Sequence, residues 1–209
     1  MKHHPRLVVL VPGYLAGKGS LYLLKRRLSQ AGFRVKIAKL PLLNLGCMEE
    51  GSKLLAEQVA GWMQKYEYTA CDLVGTSIGG LIALHAAKRL LPQGSIHTVV
   101  GVGTPFAGTW ASMAGILASL GHSLAAWQML PGSPFLRELH GDGPAKYIKT
   151  YSISAFEDPF APPKACHLDG AEEIELEGFP RLIAHQFMVA SQEIADAVED
   201  VLVQADKAV

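Results

Sequence analysis

Gly75-Thr76-Ser77-Ile78-Gly79 is the stretch of this 209-residue chain whose residue types and spacing could do chemistry. An apolar run, residues 71–75, leads into it, and residues 78–91 carry a helical pattern closed by Pro92 and Gly94. A serine at such a strand-to-helix junction, with glycine two residues to either side, fits a tight turn that lifts the hydroxyl clear of the sheet. Glycine is needed at both places because the strand and helix backbones nearly touch there. The helix N-terminus adds positive potential where negative charge would develop. The chemistry implied is nucleophilic attack on a carbonyl carbon. The plainer alternative is a glycine-rich turn with an incidental serine, and the strand before and helix after weigh against it.

A serine hydroxyl is a poor nucleophile without a base, and the base needs an acid to orient it. For a serine on this kind of turn the expected chain order is Ser, then Asp or Glu, then His. Of eight histidines, six follow Ser77. His85 lies inside the helix after the serine and His97 begins a buried strand, so both read as structural. His122 and His140 precede any acid candidate, and His167 comes close after it. His185 follows the last strand, at the start of the closing helix, which is the topological place for the base. Asp158 is the candidate acid, since it follows the strand ending near Ala155 and precedes Pro159, Pro162 and Pro163. Glu157 competes closely and Asp169 is third. An Asp before proline is also a common turn residue with no catalytic part.

These residues must be carried by a framework, and the chain alternates strand and helix throughout. Strands are expected at 7–11, 33–40, 71–75, 96–102, 147–154 and 174–176. Between them, residues 20–31 place Leu21, Leu24 and Leu28 on one helical face, with Ser20 as N-cap and Gly32 as stop. Residues 49–66 repeat Leu55, Val59, Trp62 and Met63 at helical spacing. The segment from about His185 onward is helical, with Phe187, Ile194, Val198, Val201 and Leu202 facing in. Strands spaced by amphipathic helices imply right-handed βαβ units on a largely parallel sheet, with the chemistry at the carboxyl ends of the strands.

Val8-Val9-Leu10-Val11-Pro12-Gly13-Tyr14, Gly75-Thr76-Ser77-Ile78-Gly79-Gly80, and Gly103-Thr104-Pro105 with Gly108-Thr109 together resemble bacterial lipases and esterases of the α/β-hydrolase type. There is also a likeness to the lipase-like inositol deacylases, whose lid region is similar to Gly132-Ser133-Pro134-Phe135-Leu136. The resemblance implies a minimal six-stranded, mostly parallel sheet flanked by helices, in one domain spanning 1–209, with a lid insertion at about 107–139. It implies two oxyanion-holding amides, those of Tyr14 and Ile78. Pro12 stands where that family usually has histidine. It also implies a proline-containing turn after the acid, which Glu157-Asp158-Pro159 fits.

Composition narrows the function. Lys+Arg and Asp+Glu both number 19, so no basic surface for nucleic acid and no polybasic anchor is expected. Cys47, Cys71 and Cys166 lack metal-ligand spacing and read as scattered thiols. The first apolar run is too short for a secretory signal, so the cytoplasm is the expected compartment. Between Arg89 and Arg137 there is no charged residue at all. Glycine, serine and His122 interrupt that stretch, which argues for a sticky surface element that could touch a lipid interface transiently, rather than a membrane span. The expected activity is carboxylic ester hydrolysis through an acyl-enzyme, on lipid-like substrates with apolar acyl chains, without metal or organic cofactor. Trp110, Trp127 and Leu130 of the insertion are the expected substrate contacts. A thioesterase or acyltransferase would use the same residues, and a catalytically idle ligand-binding protein on a hydrolase scaffold is the reading from another class.

Overall fold

The computed structural model describes residues 6–13, 21–40, 46–180, 185 and 191–207. Six strands run in chain order: β1 (Leu7–Val11), β2 (Arg34–Ile37), β3 (Cys71–Thr76), β4 (Ile96–Val102), β5 (Lys149–Ala155) and β6 (Glu172–Leu176). The helices among the described residues are α1 (Tyr22–Gln30), α2 (Met48–Tyr66), α3 (Ile78–Arg89), α4 (Ser112–Ala118), α5 (Leu124–Gln128), α6 (Pro134–His140), α7 (Pro163–Cys166) and α8 (Gln192–Lys207). The strands form one sheet in the order β2-β1-β3-β4-β5-β6, and every pairing is parallel.

The two faces of the sheet are covered separately, as an all-parallel sheet requires. Along β1, Leu7, Val9 and Val11 join Leu55 and Val59 of α2 and Leu81 and Leu84 of α3 in one core. Val8 and Leu10 point the other way, to Leu24 and Leu28 of α1 and Ile194, Val198 and Leu202 of α8. Ser20 and Phe187 lie outside the described residues; the residue flanking α1 is Leu21, and Gly32 stops that helix at φ +97°.

Strand limits differ from the sequence reading where a backbone group finds another partner. In β2 the ladder ends at Ala38, whose N–H donates to Leu10 O, because the Lys39 N–H turns to Gln58 Oε1 of α2 (2.8 Å). β5 starts at Lys149, since the Ile148 N–H is bonded back to Ala145 O. β6 is longer than expected, pairing Glu172–Leu176 with Tyr151–Ala155.

Residues 107–139 leave the sheet after β4 and form α4, α5 and part of α6. Their two legs meet at a neck, where the Thr109 N–H donates to Met129 O (2.8 Å) and the Ala107 N–H to Ala165 O (2.9 Å). A Cβ on Gly108 would fall 2.7 Å from the Pro131 Cα, so the legs are in backbone contact. α5 buries Ala125 and Ala126, and Gln128 Oε1 accepts the Met48 N–H at the start of α2 (2.8 Å). Beyond the neck the apolar side chains are largely uncovered. Trp110 is 71% exposed, Leu120 85%, and Leu117, Leu124 and Trp127 are exposed as well.

Candidate active site

Ser77 sits between β3 and α3 with φ 52° and ψ −130°. A side chain is rarely tolerated at such a φ, and the strain persists only because the surroundings over-determine it. The Ser77 N–H donates to Val102 O (2.8 Å), its C=O accepts the Gly80 N–H (3.0 Å), and the two glycines permit the crossing. A Cβ on Gly75 would lie 2.3 Å from Gly80 N, and one on Gly79 would lie 2.3 Å from Val11 O. Strand, turn and helix are thus locked at van der Waals contact. Because α3 starts at Ile78, the N–H of that residue belongs to the first turn and has no acceptor within the helix.

His185 and Asp158 meet Ser77 from the far side of the sheet's carboxyl edge. The Ser77 hydroxyl donates to His185 Nε2 (3.1 Å), and His185 Nδ1–H donates to Asp158 Oδ2 (2.7 Å). Asp158 is 1% exposed. Its other oxygen, Oδ1, accepts the N–H groups of Phe160 (2.8 Å) and Ala161 (3.1 Å), so both carboxylate oxygens are satisfied without water. The Phe160 ring lies against the imidazole, centroids 5.6 Å apart at 45°. Gly103, at φ +53°, passes so close that a Cβ there would lie 3.6 Å from His185 Nδ1 and from Asp158 Oδ2.

The other candidates are engaged elsewhere. Glu157, next to Asp158, points the opposite way: its carboxylate accepts the N–H groups of Gly178 (2.9 Å) and Phe179 (3.4 Å), and the Gly178 bond holds its carboxyl below the usual range. Asp169 and Glu173 flank the exposed His167, at 3.2 and 2.7 Å. His140 Nε2–H donates to Phe106 O (2.8 Å), His122 is bonded to Ser119 O, and His85 is buried against Phe135, its burial pushing it below its ordinary value. Sequence reasoning did not foresee the parts of Phe160 and Gly103 beside the imidazole. The Asp-x-Phe spacing did carry a signal, because an Asp accepting the N–H two residues on is a local turn that Glu is too long to make.

Tyr14 lies outside the described residues. The turn before it is placed beside the serine: a Cβ on Gly13 would fall 2.9 Å from Thr76 O and 3.0 Å from Ser77 Cβ. Of the three insertion residues expected to meet substrate, Trp110 and Trp127 are exposed and Leu130 is half-buried. Trp127 Nε1–H donates to Gly121 O (3.1 Å), which holds its indole against the α4–α5 turn. Among the described residues no group of His, Cys, Asp and Glu could hold a metal ion, and no helix is long and apolar enough to cross a membrane.

The fold is shared with solved structures over most or all of the chain's length. An α/β-hydrolase enzyme from the metagenome of lagoon sediments at Mar Chica, Morocco, superposes with a TM-score of 0.69 over 97% of this chain and 92% of its own, at 19% identity. The fold is that of the α/β-hydrolases. A metagenomic carboxyl esterase matches 100% of the chain with a TM-score of 0.78, over 78% of its own length at 15% identity. The mature form of a Bacillus licheniformis lipase matches 88% of both chains with a TM-score of 0.71, at 13% identity. No family model and no curated protein sequence matches the chain. In this chain the turn after β3 and the loops after β5 and β6 bring Ser77, Asp158 and His185 together.

Proposed function

We propose that this α/β-hydrolase-fold chain cleaves carboxylic esters, with Ser77 as nucleophile, His185 as general base and Asp158 as its orienting acid. The observation that carries the reading is the unbroken run from Ser77 Oγ through His185 to the buried Asp158, with a serine held at φ 52° at its head. In this reading His185 Nε2 takes the Ser77 proton as Oγ attacks the substrate carbonyl. The amides of Ile78 and Tyr14 hold the oxyanion, each contributing about 100- to 1000-fold. His185 then returns the proton to the leaving alcohol, leaving an acyl-enzyme. Water activated by the same nitrogen releases the acid and restores the serine. Asp158, bonded by two amides as well as by the imidazole, fixes the proton on Nδ1.

The substrate side of the proposal rests on residues 107–139, the lid-like insertion of a single domain. Trp110, Trp127 and Leu130 present apolar surface in a segment without charge up to Arg137, which favours lipid-like esters with apolar acyl chains. Each CH₂ buried there would contribute about 0.8 kcal/mol. A fluorophosphonate probe tests the core of the reading: wild-type protein should be labelled on Ser77 and Ser77→Ala should not. Well-folded wild-type protein that resists the probe, and turns over no p-nitrophenyl ester of any chain length, would instead be a ligand-binding protein on this scaffold.

A further inference from the structure

Thr109 lies in a Gly-Thr pair just after the Gly103-Thr104-Pro105 motif, and the proposed chemistry leaves it unused. Its side chain reaches from the neck to the loop that holds Asp158. Its Oγ1–H donates to Phe160 O (2.6 Å). Its own backbone joins the two legs of the insertion through Met129 O, while its Oγ1 accepts the Ala111 N–H (3.2 Å) and its C=O accepts the Ser112 hydroxyl (2.7 Å) at the start of α4.

Phe160 receives that bond and passes on two constraints. Its N–H donates to Asp158 Oδ1, and its ring rests on the imidazole of His185. The imidazole therefore has the Phe160 ring against it, while nearby Gly103 is tied into the sheet by its bond to Ile153 O (2.8 Å). The geometry points to Thr109 as a positioning residue that couples the insertion to the catalytic base through Phe160. This rests on the esterase reading. Its consequence is that a shift of the insertion at its neck changes the alignment of His185 and Asp158, so the apolar segment sets turnover as well as binding.

The test compares Thr109→Val, which keeps the shape and loses the hydroxyl, with Thr109→Ser, which keeps the hydroxyl, and Ser112→Ala, which removes one bond at the start of α4 and leaves the Thr109 bonds to Met129 and Phe160 in place. With p-nitrophenyl acetate, too short to report on the apolar face, Thr109→Val should lower kcat about 10-fold with KM within about 2-fold, as a small misalignment at a reacting group does. Thr109→Ser should restore kcat, and Ser112→Ala should stay near wild type. The proton NMR resonance of His185 Nδ1–H, bonded to Asp158, should broaden or vanish in Thr109→Val alone, with thermal unfolding little changed. An unaltered resonance and kcat in Thr109→Val would overturn the coupling, as would an equal loss in Ser112→Ala. The resonance does not depend on turnover, so an inert wild type would count against the esterase reading and leave the coupling still measurable.

Discussion

The crossing of β3 and α3 at Gly75 allows a quantitative expectation. In Gly75→Ala the new Cβ would lie 2.3 Å from Gly80 N and 2.4 Å from Gly79 C and O, all backbone atoms that cannot rotate away. Ordinary contact begins at 3.4 Å, so strand and helix must part by about 1 Å. Overpacking of this kind costs about 1–3 kcal/mol. At about 2–4 °C per kcal/mol for a chain of this size, the melting temperature should drop by about 2–12 °C. Ser77 rides on the displaced turn, and a misplacement of about 1 Å is worth about 100-fold in turnover. Gly61→Ala is the matched control: nothing lies within 4 Å of a Cβ there, and the position is inside α2. It should stabilise by about 0.5–1 kcal/mol through helix propensity, with activity unchanged. Thermal unfolding and p-nitrophenyl ester turnover on both variants suffice. A Gly75→Ala protein as stable and active as wild type would refute the claim that the elbow is locked by backbone contact.

The remaining expectations are briefer. Ser77→Gly should be inactive yet more stable than Ser77→Ala by about 1 kcal/mol, because glycine accepts φ 52° without strain; equal stabilities in urea would remove strain from the account of the turn. Asp158→Asn should cost far more activity than Glu157→Gln, since only Asp158 faces His185; the reverse ranking in kcat/KM would mean the acid is misassigned. Burial pushes the Cys71 thiol up to about 12, and Cys166 is raised too, so alkylation of native protein at pH 8 should reach Cys47 first; rapid loss of all three thiols without unfolding would contradict the packing. The Glu173 bond raises His167 above its ordinary 6.5, so its contribution to stability is complete below about pH 6.5 and fades as pH rises through the higher folded value. His167→Gln should flatten that slope, which for so exposed a group is small and salt-sensitive; an unchanged slope in denaturation at several pH values would exclude the pair.

The sheet was readable because its central strands β1, β3 and β4 are mainly apolar runs closed by glycine, proline or a polar turn, and periodicity sets the long helices between them, whereas the edge strands β2 and β6 carry charged residues. Even so, β2 and β5 end where Gln58 and Ala145 capture a backbone group, a competition between residues distant in sequence for the first and hidden in a loop for the second. The turn at Ser77 could be singled out because its close crossing of strand and helix needs glycine two residues to either side, at Gly75 and Gly79. His185 could be chosen by chain order, since the other histidines fall on elements leading elsewhere. Glu157 and Asp158 could not be separated by order, because adjacent residues share it; what separates them is side-chain length at a turn whose amides point at the shorter one. The turn after Asp158 is signalled by its Asp-x-Phe spacing, but nothing in the sequence puts the Phe160 ring beside the imidazole, since contacts between loops after different strands leave no period to read.

The neck of the insertion has a consequence for how such a protein can be altered. Its two legs leave and return within a hydrogen bond of each other, at Thr109 N–H and Met129 O; the outgoing leg is secured to the body of the fold at Ala107 and the returning one at Gln128. Residues 110–128 can thus be exchanged across a short gap, provided the replacement restores the burial of Ala125 and Ala126 and the Gln128 bond to Met48, while Ser77, Asp158 and His185 are held by β3, β5 and the loops behind them. On the proposed reading, substrate scope can then drift by replacing one segment, with turnover changing only as far as the neck at Thr109 is disturbed. A library built by grafting loops of varied length between Thr109 and Met129 should keep the fold and alter which acyl chains are accepted.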